Sequence, residues 1–227
     1  MHTFSAKTIG LLSLFLSLPV PASAQNPQQP PAPSGAVTAP GTVTPAGFVP
    51  APILQGGEVF LLYPPGSPFL KQDRVNEPEQ HNMTSGVPGR IQSIVNIHNP
   101  SIELHRVERG TNTGAAVILI AGGGHNTLNV GTEGADLVSY FYQYGVTTII
   151  LRSRLRRDGY NAQTDEVYDA QQAVRMVRAC LWNRRKASMD ALSIGALLFG
   201  AVGWKLRYGA TAWRPNSIVR PCDREDA

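Results

Sequence analysis

Three consecutive glycines followed by a histidine stand where an apolar run of the chain ends. The run "AAVILI" passes into "AGGGHNTL", residues 121–128 of the 227-residue sequence. Glycines at such a place let the backbone approach a bound group closely, because no Cβ blocks it. Three uses are common: a dinucleotide site, an oxyanion hole whose backbone N–H groups face a developing negative oxygen, and a tight turn whose glycines only pack.

The pattern disfavours the dinucleotide site. That site requires G-x-G-x-x-G and an acidic residue about 20 positions later, at the end of the next strand. Here the residues read G-G-G-H-N-T, and the next apolar run ends in Leu151–Arg154 without an acid. The sequence also lacks the cysteine and histidine spacings typical of metal sites. We therefore expect neither a nucleotide nor a metal cofactor.

The segments around the glycines predict the elements that must position them. "AAVILIA" and "VTTIILRSR" are continuous apolar, β-branched runs, which are typical of buried parallel strands. Helices are predicted over "GTEGADLVSYFYQYG", with Thr132 capping the start and Gly145 following the end, and over "TDEVYDAQQAVRMVRACLW". Strand, glycine loop, helix, strand and helix make a right-handed parallel α/β unit. Upstream, the turn signal Asn99-Pro100 predicts a β-hairpin.

The two ends of the chain have different compositions. Lys7, an apolar run to about Val20 and the small-residue site Ala22–Ala24 predict a secretory signal peptide over residues 1–24, with a buried N-terminal helix as the alternative. We therefore expect a secreted or periplasmic protein. Residues 25–57 are rich in Pro and Ala and predict a disordered linker. One globular domain is expected over 58–183, followed by a divergent tail over 184–227.

Charge and cysteine content restrict the partners. The net charge is +4, and "RSRLRR" concentrates four arginines in a short stretch. This cluster is either a nucleic-acid patch or a solvated or ion-paired loop. Secretion favours the second interpretation, so no nucleic-acid partner is expected. Cys180 and Cys222 are able to pair in an oxidising compartment, and one sequence does not show whether they meet.

Several motifs together resemble the N-terminal half of secreted α/β-hydrolases of the carbohydrate-esterase type, similar to acetylxylan and feruloyl esterases. They are "VNIHNPSIELH", the glycine loop, the Glu-Gly pair of "GTEGAD", the strand end "RSRL" and "DAQQA", within about residues 58–180. The resemblance implies an incomplete α/β-hydrolase sheet, mostly parallel with helices on both faces. It also implies an acylated carbohydrate or a small ester as partner.

The same resemblance implies roles for four residues of the loop. Gly123 and Gly124 would supply the backbone N–H groups of the oxyanion hole. His125 or Asn126 would line the acyl pocket. For His125 an equal alternative is a loop histidine that is hydrogen-bonded to its surroundings.

The nucleophile of such an enzyme is missing. Aligned at Ile194-Gly195, the family pattern ending in G-F-S-A-G falls on "LFGAV", with Gly200 in the place of the serine. Ser193 in "ALSIG" is the only fallback, and no apolar strand precedes it. Catalytic serine, acid and histidine follow in that chain order in α/β-hydrolases, whereas the last histidine here is His125.

We therefore expect a truncated or frameshifted hydrolase that is related to carboxylic-ester hydrolases and is inactive. A frameshift near Leu181 is tested by reading the coding DNA in its other two frames. Two alternatives stay open. One is a non-catalytic secreted binding module that uses the glycine pocket. The other is a surface-associated interaction protein, without a stable membrane span, that depends on the Pro-rich segment and the apolar tail.

Overall fold

A computed structural model describes residues 40–108, 110–185 and 194–198 of the chain. The predicted signal peptide, Ser193 and Cys222 lie outside these ranges. No helix within them is long and apolar enough to cross a membrane. The elements in chain order are β1 (Gly41–Thr44), β2 (Gly47–Pro50), β3 (Glu58–Leu61), β4 (Gln80–Met83), β5 (Ile91–Val95), β6 (Ser101–His105), β7 (Ala116–Ile120), α1 (Asp136–Gln143), β8 (Thr147–Arg152), α2 (Asp165–Arg185) and β9 (Ile194–Leu198).

The central sheet has five strands in the order β3-β6-β8-β7-β9. β7 pairs in parallel with β8 and with β9, so the predicted parallel α/β unit is confirmed. β6 pairs antiparallel with both β3 and β8, so the sheet is mixed and not mostly parallel. Parallel neighbours need a crossover connection, usually a helix, and residues 40–108 contain none before β6.

Both faces of this sheet are covered, as the continuous apolar strands predict. Every residue of β7 and β8 is buried. Because successive side chains of a strand point to opposite faces, Val117 and Leu119 pack with Val138 of α1, whereas Ile118 packs with Ala173 of α2 on the other face. One helix on each face is the arrangement that parallel strands require.

The hairpin predicted at Asn99-Pro100 is wrong. β5 and β6 are the two strands on either side of this turn, but β5 pairs with β4, and β6 pairs with β3 and β8. The chain leaves β5 through Asn96, which has a φ of 62°. The carboxylate of Asp158 accepts the N–H groups of Asn96 and Ile97 at 2.9 and 3.3 Å. These contacts hold the chain in a turn between β5 and β6, which belong to different sheets.

Part of the predicted linker is packed against the domain. β1 and β2 form a hairpin within residues 40–57, and Phe48, Ile53 and Leu54 are buried. The carboxylate of Glu103 accepts the N–H groups of Ile53 and Leu54 at 2.7 and 3.0 Å. Low charge and high proline content therefore do not predict disorder here, because a distant buried carboxylate binds this backbone.

β9 lies in the segment that the sequence assigns to the divergent tail. It runs parallel to β7, with Ile194 opposite Ala116 and Leu198 opposite Ile120. The chain therefore re-enters the central sheet directly beside the strand that carries the glycine loop.

The arginine cluster divides into two buried and two exposed residues. Arg152 and Arg154 are fully buried, whereas Arg156 and Arg157 are exposed. The Arg152 guanidinium lies 2.6 Å from a carboxylate oxygen of Glu103. The Arg154 guanidinium lies 2.7 Å from a carboxylate oxygen of Asp169. Half of the cluster is therefore ion-paired inside the domain.

Acid is expected to weaken the network around Glu103. Burial raises the pKa of Glu103, but the hydrogen bond from His105, the charge of Arg152 and the N–H of Ile53 outweigh burial and hold it below the ordinary value of 4.5. A carboxyl with a lowered pKa contributes stability above its unfolded pKa of about 4.3 and loses it as the pH falls towards the folded pKa. In urea titrations we expect the free energy of unfolding to fall more steeply below about pH 4.3 for the wild type than for Glu103→Gln. Equal slopes would contradict this account.

Candidate functional site

A small pocket lies at the carboxyl ends of β7 and β8. Its walls come from the loop 121–128 and from residues that follow β8 or begin α2, namely Ala121, Gly122, Gly123, Gly124, His125, Thr127, Leu128, Ser153, Leu155 and Glu166. The carboxyl ends of parallel strands meet at one edge of a sheet, and ligands of open α/β sheets bind outside that edge. The structure thus brings Gly123, Gly124 and His125 to one pocket, whereas Asn126 is exposed and does not line it.

A tight turn at residues 123–126 shapes this pocket. Gly124 and His125 both have a φ of 63°, and the N–H of Asn126 donates to the carbonyl of Gly123 at 3.1 Å. Left-handed backbone at both central positions is typical of a type I′ turn, in which glycine is favoured. His125 is one of only two non-glycine residues with a positive φ in the described ranges. Such a conformation persists only where the surroundings hold it.

The two pocket glycines are constrained differently. Gly123 has a φ of 139°, and a Cβ there would lie 2.0 Å from the carbonyl oxygen of Thr127. No side chain fits at this position without moving the backbone. A Cβ on Gly124 would meet only the amide nitrogen of Asn126, at 3.9 Å, so its surroundings are open. Gly123 therefore sets the path of the loop, and Gly124 keeps one side of the pocket free.

Hydrogen bonds at both ends anchor the loop. The N–H of Gly122 donates to the carboxylate of Glu133 at 2.5 Å, and the carbonyl of Gly122 accepts the N–H of Asn129 at 2.9 Å. Leu128 exchanges two backbone hydrogen bonds of 2.9 Å with Ile94 of β5. Glu133 is the acid of the Glu-Gly pair, and its contact with the glycines is a role that sequence reasoning missed.

Two neighbouring backbone donors remain unused. In the part of the chain that the structure describes, the N–H groups of Gly123 and Gly124 donate to no acceptor, whereas the N–H of Gly122 is bonded to Glu133. Successive N–H groups in a turn form a concavity that binds anions. The arrangement is suited to an oxygen that carries a partial or full negative charge.

His125 is attached to the start of α2. Its Nδ1 lies 2.7 Å from a carboxylate oxygen of Glu166, and the other oxygen of Glu166 accepts the N–H of Arg156 at 3.2 Å. The carbonyl of His125 accepts the N–H of Arg157 at 3.1 Å. His125 is thus hydrogen-bonded to its surroundings and also lines the pocket, and its contact with an acyl group stays a prediction.

A buried ion pair lies behind the pocket. The Asp169 carboxylate accepts hydrogen bonds from the guanidinium and the backbone N–H of Arg154, at 2.7 to 3.2 Å. It also accepts a hydrogen bond from the Tyr63 hydroxyl at 2.9 Å. Burial and the nearby Asp169 charge raise the pKa of Tyr63, and burial raises that of Tyr160 to about 12. The Arg and Asp of the motifs "RSRL" and "DAQQA" therefore fix the chain on either side of the pocket and do not enter it.

The similarity of this chain to known proteins is limited. No protein-family model matches the chain, and no curated protein matches it either. The chain is similar to solved structures of Thermogutta terrifontis esterase 2. The apo form is 14% identical with a TM-score of 0.40, over 64% of this chain and 43% of that one. The butyrate-bound form is 12% identical with a TM-score of 0.35, over 63% and 40%. The chain thus spans less than half the length of that esterase.

The sequence predicted four site residues in the loop and Ser193 as a fallback nucleophile, and it did not predict three other residues at the site. Glu133, Ser153 and Glu166 were not identified, although Glu166 stands beside Asp165 at the predicted helix start. Ser153 follows β8 directly and lines the pocket. No group of three His, Cys, Asp or Glu side chains that is able to hold a metal ion occurs among residues 40–108, 110–185 and 194–198.

Proposed function

We propose that the loop 121–128 is the oxyanion-binding half of an ester-hydrolase site and receives the carbonyl oxygen of an acyl ester. The observation that carries this proposal is that the N–H groups of Gly123 and Gly124 have no acceptor among the residues that the structure describes. In α/β-hydrolases one oxyanion donor comes from the loop after the third strand of the sheet. β7 is the third strand of the central sheet in chain order, and this loop follows it.

The chemistry of the pocket walls favours a short acyl group. Its walls are largely backbone and small side chains, and the surroundings of Gly124 are open. Together with the sequence resemblance to esterases of acylated polysaccharide and the predicted signal peptide, this favours an acetylated carbohydrate outside the cytoplasm as the ligand.

The proposed site does not turn over esters through a serine. β9 lies beside β7, where a strand leading to the nucleophile elbow is expected, and the residues after Leu198 are Phe199, Gly200 and Ala201. Without a hydroxyl or thiol there, no acyl-enzyme forms at that position. In the absence of a nucleophile, oxyanion donors and substrate binding accelerate hydrolysis by only roughly a thousand-fold over water. The proposed protein is thus an ester-binding relative of carboxylic-ester hydrolases.

Calorimetric titration tests this proposal. We expect saturable binding of acetylated xylo-oligosaccharide and none of the deacetylated form. Gly124→Leu should weaken binding by about tenfold or more, equal to at least about 1.4 kcal/mol, because its side chain projects into the open side of the pocket. Gly66→Leu is the matched control, since Gly66 also has a left-handed φ, of 71°, with nothing near its Cβ and lies outside the pocket. Equal binding of both oligosaccharides would contradict the proposal.

A further inference from the structure

His125 and Glu166 form an imidazole–carboxylate pair at the wall of the pocket. We propose that this pair is a general base, in which His125 activates a water molecule for attack on an ester carbonyl and Glu166 positions the ring. The inference rests on the proposed function, because the glycine loop must hold the carbonyl. It adds a slow hydrolytic activity that requires no serine.

The surroundings of the pair set the direction of proton transfer. Glu166 is only 4% exposed and the His125 side chain is 20% exposed, so the carboxylate lies inside and the ring reaches the pocket. A carboxylate at Nδ1 favours the tautomer that carries its proton there. Nε2 then has a free lone pair, and it makes no hydrogen bond to any described residue.

Two other histidines of the domain lack this arrangement. Both ring nitrogens of His98 are occupied, by Tyr160 at 2.8 Å and by Asn96 at 2.9 Å. The His105 side chain is 1% exposed and is bonded to Glu103 at 2.8 Å. These two buried rings make structural hydrogen bonds within the core. His125 instead combines a fixed ring, a left-handed backbone and an available nitrogen.

The strain at His125 supports a role beyond packing. Its φ of 63° costs of the order of 1 kcal/mol or more for a residue with a Cβ. The turn, the N–H of Arg157 on its carbonyl and the Glu166 carboxylate on its ring together hold it there. These contacts place the imidazole within the same pocket wall as the two unpaired glycine N–H groups.

The proposed step balances without any other reactant. The water oxygen bonds to the carbonyl carbon, and its proton passes to Nε2 of His125. The carbonyl oxygen becomes negative and faces the N–H groups of Gly123 and Gly124. The bond from the carbonyl carbon to the alcohol oxygen then breaks, and the imidazolium returns the proton to that oxygen. A carboxylic acid and an alcohol leave, and no covalent intermediate forms.

Hydrolysis of 4-methylumbelliferyl acetate by the full chain, measured across pH, tests the step. Well-placed general bases contribute about 10²- to 10⁴-fold, so His125→Gln should lower the plateau rate by about 100-fold. Glutamine keeps a donor for Glu166 but is not a base. Glu166→Gln should lower kcat less than His125→Gln does and leave KM near the wild-type value, because the basic nitrogen is kept and only the carboxylate that positions the ring is lost.

His81→Gln is the matched control. It changes another histidine that lies near a glutamate, with His81 Nε2 3.6 Å from Glu79, and it lies outside the pocket. We expect its rate and pH profile to equal those of the wild type. Circular dichroism spectra confirm that each variant folds.

The outcomes separate this inference from the proposed function. If His125→Gln hydrolyses the ester at the wild-type rate and still binds acetylated oligosaccharide, His125 is not a general base. The proposed ester-binding site would not be contradicted by this result. A burst of product that is lost in Ser153→Ala would also overturn it, because it indicates a covalent acyl intermediate. Binding that Gly124→Leu leaves unchanged would instead contradict the ester site itself.

Discussion

Asp169→Asn is expected to lower the free energy of unfolding by about 3–5 kcal/mol. Asp169 is fully buried and accepts hydrogen bonds from the Arg154 guanidinium, the Arg154 backbone and the Tyr63 hydroxyl. Asparagine keeps the size of the side chain but removes its charge. The buried Arg154 guanidinium then loses its charged partner at 2.7 Å and keeps the Asp165 carboxylate at 3.8 Å, and a poorly compensated buried charge is among the most costly defects in a core.

Urea denaturation monitored by circular dichroism measures this loss. Glu77→Gln is the matched control, because Glu77 pairs with Arg74 at 2.8 Å but is 41% exposed. Ion pairs in contact with water contribute little to stability, so the control should unfold close to the wild type. Similar losses in the two variants would show that the Arg154–Asp169 pair does not stabilise the domain as its burial implies.

Gly123→Ala is expected to abolish binding of acetylated oligosaccharide. The added Cβ would lie 2.0 Å from the carbonyl oxygen of Thr127, so the loop must move and its N–H groups with it. The φ of 139° also lies where a residue with a side chain is strained by about 1–3 kcal/mol, and we expect a loss of stability of at least that size.

Gly124→Ala separates strain from collision. Its φ of 63° gives strain of about 1–2 kcal/mol, but its Cβ meets nothing closer than 3.9 Å. The variant should bind the oligosaccharide nearly as well as the wild type. Titration calorimetry and urea denaturation of both variants measure the difference, and full binding by Gly123→Ala would refute the proposed role of the loop.

Local patterns in the sequence were sufficient to predict the strands and helices of the α/β unit around the glycine loop. The β-branched runs became the fully buried strands β7 and β8, and Gly145 ends α1 with a φ of 69°, as its position after the helix predicts. Thr132 does not cap the helix, and that prediction is wrong. A π-helical turn over Gly131–Ala135 precedes α1, and its N-cap residue is Val130, which makes no side-chain cap.

Contacts between distant segments could not be predicted from the sequence. The pairing of His125 with Glu166 spans 41 residues, and the contact of Ile53 with Glu103 spans 50. Periodicity shows which face of an element is buried, but it does not show which distant polar group will meet it. The same limit explains why the antiparallel pairing of β6 with β3 and β8 was not predicted. It also explains why the hairpin predicted at Asn99-Pro100 is wrong.

The central claim is that the N–H groups of Gly123 and Gly124 receive a negative oxygen. Proton–nitrogen correlation spectra, recorded while methylphosphonate is added as a tetrahedral anion, test it most directly. We predict saturable shifts of these two amide signals, no change at Gly66, and loss of the response in Gly123→Ala. Unchanged Gly123 and Gly124 signals, or shifts that persist in Gly123→Ala, would contradict the claim.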